Sequence, residues 1–128
     1  SFTELARDGI EVQRRNRMNP EQEPRRSYLE RQLEGCAGPV IAATDYVRAY
    51  SEQIRPYLGR SYTVLGTDGW GRSDTREKLR EFFEVDRRYV VVSSLKALAD
   101  AGEIETSQVS EAIARYGLDP DKSDPRIS

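Results

Sequence analysis

The sequence predicts an α/β domain built around a short, mainly parallel sheet. Three observations lead there. Residues 39–44, Pro-Val-Ile-Ala-Ala-Thr, are apolar almost throughout, as in a strand covered on both faces. Residues 61–65, Ser-Tyr-Thr-Val-Leu, form a second short strand-like run. Between them Tyr46, Val47, Tyr50, Ile54, Tyr57 and Leu58 recur at helical spacing. Strand, helix and strand within this length make a βαβ unit, whose strands run parallel.

The remaining elements follow in order. Ser1 and Glu4 have the spacing of a capping box, so a helix starts at the first residues. Phe2, Leu5, Ile10 and Val12 give it a weak apolar face, with a break expected near Gly9. Pro20 and Pro24 mark a short linker. Residues 27–34 read as a short helix ended by Gly35. Asp45 is the expected cap of the crossover helix, and Gly59 closes it. Ser73 or Asp74 caps a helix carrying Leu79, Phe82 and Phe83, and Asp86 caps the next. The run from Tyr89 to Ala99 holds three valines, but Val91, Leu95 and Leu98 fit a helical face, and a helix is expected. Thr106 or Ser107 caps a last helix, ended by Gly117. The tail, residues 118–128, has two prolines and little that is apolar, and is expected to be extended.

Composition narrows the chemistry. The chain has 128 residues, 33% of them charged, with a net charge of -2. Its acids and bases are interleaved with no basic block, which disfavours nucleic-acid binding. No apolar run reaches the roughly 20 residues that span a bilayer, so no membrane partner is expected. A single Cys36 allows no internal disulfide, which suits a reducing, cytoplasmic setting. The chain has no histidine. A Ser-His-Asp or Cys-His engine is therefore impossible within it, and a zinc site is disfavoured.

One stretch invites a functional reading: Thr-Val-Leu-Gly-Thr-Asp-Gly-Trp-Gly-Arg-Ser-Asp, residues 63–74. Gly66, Gly69 and Gly71 follow neither the dinucleotide-binding nor the P-loop spacing, and no lysine follows them. Asp68 and Asp74 would repel a phosphate, whereas Arg72 and a helix start would attract one. A strand-to-helix corner with a capped helix explains the same residues more simply. Trp70, flanked by glycines, is either tucked against a neighbouring domain or subunit or exposed for binding. Tyr46, Tyr50 and Tyr57 read as a packing stripe rather than a ligand box, and Arg14, Arg15 and Arg17 as a solvated surface.

Four runs carry a resemblance: residues 1–9 (SFTELARDG), 39–46 (PVIAATDY), 64–79 (VLGTDGWGRSDTREKL) and 82–92 (FFEVDRRYVVV). They strongly resemble the homodimeric type of pyruvate dehydrogenase, the thiamine-dependent decarboxylase component of its complex. The resemblance runs in order to the Asp-Pro-Arg-Ile-Ser tail. Trp70 stands where the family more often has Phe or Tyr, a departure that keeps an aromatic.

The resemblance implies that the chain is the later part of a transketolase-like C-terminal domain. That domain is a three-layer sandwich on a mainly parallel sheet, here lacking its first strands. Within it, residues 1–38 are a helical entry segment, 39–117 the βαβ unit plus helices, and 118–128 the tail. The whole enzyme decarboxylates pyruvate on thiamine diphosphate with magnesium. It passes the acetyl group to a lipoyl group of dihydrolipoyl acetyltransferase. The family's cofactor and catalytic residues lie upstream, so no catalytic, cofactor or metal residue is expected in residues 1–128. A structural and assembly role is expected instead, with the upstream domains and a homodimer partner as neighbours. Gly66, Asp68, Gly69, Trp70, Gly71, Arg72 and Asp74 are the expected contact residues. The alternative is a free-standing interaction or regulatory module.

Overall fold

The computed structural model describes residues 1–68 and 75–126. The chain runs α1 (Phe2–Met18), α2 (Tyr28–Gln32), β1 (Val40–Ala43), α3 (Arg48–Glu52), a 3₁₀ turn (Arg55–Tyr57), β2 (Tyr62–Leu65), α4 (Arg76–Phe82), α5 (Arg87–Asp100) and α6 (Thr106–Arg115). Among the described residues the sheet has two strands. They pair in parallel, with Val40 opposite Tyr62 and Ala43 opposite Leu65. The expected βαβ unit and α/β class are both present.

The core lies on one face of this sheet. Ile54, Leu58, Tyr62 and Val64 are buried together, and Phe2, Leu5, Leu29, Leu33, Val40 and Ala42 pack against them. Alternation does the sorting: Tyr62 and Val64 point one way, with partners Val40 and Ala42 beside them. Helix α5 lies against both strands from outside that cluster, and α6 packs on α5. The valine-rich run 90–92 is thus helical, as its Leu95 and Leu98 spacing suggested.

Tyr62 is the best-anchored core residue. Its hydroxyl donates to the Ser51 carbonyl at 2.7 Å. Its carbonyl accepts from Arg55 Nη1 at 2.8 Å, and the Arg55 guanidinium lies 5.0 Å from its ring centre. Arg55 is held in turn by two bonds to Glu52, at 2.6 and 2.9 Å. The Ser51 hydroxyl is fully buried without a partner among the described residues.

Several details differ from expectation, each for a physical reason. Helix α1 runs unbroken through Gly9, because Gly9 is buried where the Tyr57 ring packs on the helix. A Cβ there would lie 2.6 Å from the ring. The crossover helix is split: α3 stops at Glu52 and a 3₁₀ turn follows. Pro56 lacks the N–H that would continue the ladder. The cap residue of α3 is Val47, not Asp45. Thr75 caps α4 in place of Ser73 or Asp74, accepting from the Lys78 N–H at 3.3 Å. At α6 the cap residue is Glu105, whose N–H donates to Gln108 Oε1 at 3.2 Å. Ser1 and Asp86 cap their helices as expected, and Ser27 caps α2.

The tail has no helix or strand between 118 and 126, but it turns rather than running straight. Lys122 fastens it to the end of α4, donating to the carbonyls of Phe82 (2.7 Å) and Glu81 (3.2 Å). A cation there suits the negative end of a helix.

Two substitutions test this packing. Gly9→Ala gains helix propensity but forces the Tyr57 ring aside. It should destabilise the fold by about 1 kcal/mol or more in urea denaturation. Ser51→Ala removes a buried hydroxyl without a partner and should be neutral or stabilising by up to about 1 kcal/mol. A loss of stability in Ser51→Ala would show that the hydroxyl has a partner.

Candidate functional site at the carboxyl ends of the strands

Both strands end at one place, and the segments leaving them lock together there. The Thr44 N–H donates to the Leu65 carbonyl at 2.9 Å, and the Thr67 N–H to the Tyr46 carbonyl at 3.0 Å. The Thr67 hydroxyl donates to the Asp45 carbonyl at 2.6 Å. These bonds clamp residues 44–46 to residues 65–67.

The corner then grips the start of α3. Asp68 Oδ1 accepts the backbone N–H of Arg48 at 2.7 Å, and Asp68 Oδ2 accepts from Arg48 Nε at 3.2 Å. Asp68 thus acts as a remote cap, satisfying a first-turn N–H that Val47 cannot. This contact requires Gly66. A Cβ there would sit 3.0 Å from the Arg48 backbone nitrogen, 3.1 Å from its Cα and 2.3 Å from its Cγ. The requirement is close approach, not an unusual φ.

A second ion pair ties the corner to α4. Arg80 donates to both oxygens of Asp45, at 3.1 and 2.9 Å. That bond, and to a lesser degree the charges of Arg80 and Arg76, hold the Asp45 carboxyl below its usual range despite partial burial. The tail adds another pair. Hydrogen bonds from Arg126 hold Asp124 down to about 2. Arg48 also lowers Asp124, and Asp68 also raises Arg126, so the two pairs share one field.

A cavity of about 380 Å³ opens beside the corner, between the end of β2, α5 and the tail. Its cations, Arg48, Lys122 and Arg126, are matched by Glu84, Asp119 and Asp124. Such a balanced lining selects for neither charge. Among the described residues no group of three or more His, Cys, Asp or Glu could hold a metal ion. Among them, too, no helix is long and apolar enough to cross a membrane.

Of the seven residues singled out in the sequence, Gly66 and Asp68 converge on Arg48. Gly69, Trp70, Gly71, Arg72 and Asp74 lie outside the described residues. The tyrosine stripe is corrected. Tyr57 does pack on α1, but Tyr46 and Tyr50 are 71% and 53% exposed. Their rings meet edge to face at 6.1 Å, and Val47 between them is 45% exposed. Helical spacing put these side chains on a common face, but Tyr46 precedes α3 and Tyr57 lies in the 3₁₀ turn, so one helix does not carry all three. The pairing of Asp45 with Arg80 had no local signal, since its partners lie in different elements.

Comparison with known proteins now decides the family. Residues 1–86 match the model of the transketolase-like TK C-terminal domain. The chain belongs to that family. It is also similar over nearly its whole length to proteins named pyruvate dehydrogenase E1 component. Identity is 60% over 125 residues with that of Cupriavidus necator, covering 98% of the chain and 14% of the relative. It is 59% over 126 residues with that of Pseudomonas aeruginosa, again 98% and 14%. With the Escherichia coli K12 protein it is 48% over 129 residues, covering 100% of the chain and 14% of the relative. The chain therefore spans about one seventh of these relatives, corresponding to their C-terminal part.

The transketolase-like corner makes two predictions. Gly66→Ala should cost about 1–3 kcal/mol, because the Arg48 backbone must move. Asp68→Ala should cost about 1 kcal/mol, and Asp68→Asn less, since an amide oxygen can still accept the Arg48 N–H. Equal losses in the two Asp68 variants would contradict the capping role. The pH dependence follows from Asp45, Asp86 and Asp124, all of which are depressed. Asp86 is depressed despite burial, which pushes it up, because Arg88 and the Tyr89 N–H bond to it. Depressed carboxyls contribute stability above the unfolded value of about 3.9 and lose it as pH falls through the folded value. Denaturation midpoints should therefore hold from neutral pH to about 5 and fall towards pH 2. Asp45→Asn should flatten that fall.

Proposed function

We propose that this chain is the C-terminal part of a pyruvate dehydrogenase and serves its assembly rather than its chemistry. The observation that carries the reading is coverage. All but a few residues align, at 48–60% identity, with one seventh of proteins bearing that name. The whole enzyme would be cytoplasmic and homodimeric. It would oxidatively decarboxylate pyruvate and transfer the acetyl group to the lipoyl group of dihydrolipoyl acetyltransferase.

Thiamine diphosphate and magnesium would supply the decarboxylation chemistry in that enzyme, and the described residues of this chain do not fit them. A diphosphate–metal site needs uncommitted cations and convergent carboxylates. Here Arg48 and Arg80 are each engaged by an aspartate, and the described residues offer no metal-binding group. The cofactor belongs on this reading to the preceding part of the polypeptide, and the segment alone is inactive. Residues 66–74 would form the corner that meets the rest of the enzyme. Gly66 and Asp68 shape it from within. Gly69, Trp70, Gly71, Arg72 and Asp74 provide further contacts.

The test begins with an antibody against this segment on a native lysate. A band several times larger than 14.6 kDa that purifies with pyruvate decarboxylation supports the reading, and a band near 14.6 kDa contradicts it. In the large protein, Trp70→Ala should weaken domain or subunit contacts, seen as a lowered thermal midpoint, with thiamine diphosphate affinity unchanged. Intact assembly with lost cofactor binding would overturn the assembly role.

A further inference from the structure

We infer that Tyr46, Val47 and Tyr50 form a preformed docking surface for the preceding part of the same polypeptide. The inference rests on the chain being the C-terminal part of a longer enzyme. Large apolar side chains that are exposed together, rather than singly, mark a surface meant to be covered. These three lie within the five residues 46–50, each more than 40% exposed, and the two rings form a single edge-to-face block. Aromatic side chains of this kind are enriched in the buried centre of interfaces.

The patch is held in a fixed shape. The Tyr46 carbonyl accepts the Thr67 N–H, the Asp45 carbonyl accepts the Thr67 hydroxyl, and the Arg48 N–H is bound by Asp68. A backbone fastened on both sides of Val47 loses little freedom on binding, which favours association. The surroundings define the occupant. The charges beside the patch are paired with each other: Asp45 with Arg80, and Arg48 with Asp68. The surface on offer is therefore uncharged, with phenol hydroxyls at its edge. Its complement is an apolar protein surface with backbone or side-chain acceptors for those hydroxyls.

This chain accounts for only 14% of the length of its relatives, so most of such a polypeptide is available to provide that surface. The patch is also continuous with residues 66–68, so it extends the contact proposed there. A second copy of the chain is the competing occupant. An isologous contact would be lost on dilution, whereas a contact within one polypeptide would persist.

The experiment uses the full-length enzyme. Tetranitromethane nitrates accessible tyrosines, and peptide mass spectrometry reads each site, with the urea-unfolded enzyme as reference. Tyr46 and Tyr50 should react at least tenfold more slowly in the native enzyme at every protein concentration. Nitration at the unfolded rate overturns the inference, and so does protection that vanishes on dilution or needs added acetyltransferase. A photoreactive benzoylphenylalanine at position 50 provides a second readout. Adducts should join residue 50 to preceding residues within a product of single-polypeptide mass. A product of twice that mass would assign the patch to the second copy and overturn the inference. If the antibody detects only a polypeptide near 14.6 kDa, it is the parent-enzyme reading that fails, a result separate from either outcome here.

Discussion

The structure depends on the close approach of Gly66 to the first residue of α3. The end of β2 and the start of the crossover helix touch there, with no room for a side chain between them. Asp68 then reaches the Arg48 N–H, and Thr67 reaches back to residues 45 and 46. A two-stranded parallel sheet has little stability of its own. This contact closes the βαβ unit at one end, while Tyr62, Ser51 and Arg55 hold its middle. The electrostatic arrangement follows: with α3 placed, Asp45 faces Arg80 on α4, and Arg48 lies within the field of the tail's Asp124.

The same arrangement supports the proposal that the corner serves contact rather than chemistry. Among the described residues its charged groups pair with one another: Asp45 with Arg80, and Arg48 with Asp68. Its backbone is fastened at several points, so the side chains that remain outside, Tyr46, Val47 and Tyr50, are presented in a fixed shape. A carboxyl end of a parallel sheet is where α/β enzymes commonly place ligands. In this transketolase-like domain the described residues at that position are paired charges and an exposed aromatic block.

Much of this was legible in the residues. The apolar runs at 39–44 and 61–65 identified the strands, and Ser1 and Asp86 identified two helix starts by local hydrogen-bond chemistry. The strongest signal was the block around Gly66, whose resemblance pointed to the family that the comparisons then established. What could not be read was set by distant partners. Gly9 looks like a helix breaker until the Tyr57 ring is seen to need its missing side chain. Asp45 looks like a cap until Arg80 arrives from another helix. Asp68 reads as a contact residue, but nothing local names Arg48 as its partner. Pro56 was a missed local signal: it announced the end of α3, and the apolar spacing around it concealed the break.

The measurement that bears most directly on this account is amide hydrogen exchange at Arg48 and Thr67 in the full-length protein, with Asp68→Ala alongside. First-turn helix amides normally exchange fast, because no intrahelical carbonyl accepts them. The account predicts strong protection of both amides, with Arg48 protection lost and Thr67 protection retained in Asp68→Ala. Exchange of Arg48 near the unprotected rate in the unaltered protein would contradict it, since the corner would then not be closed.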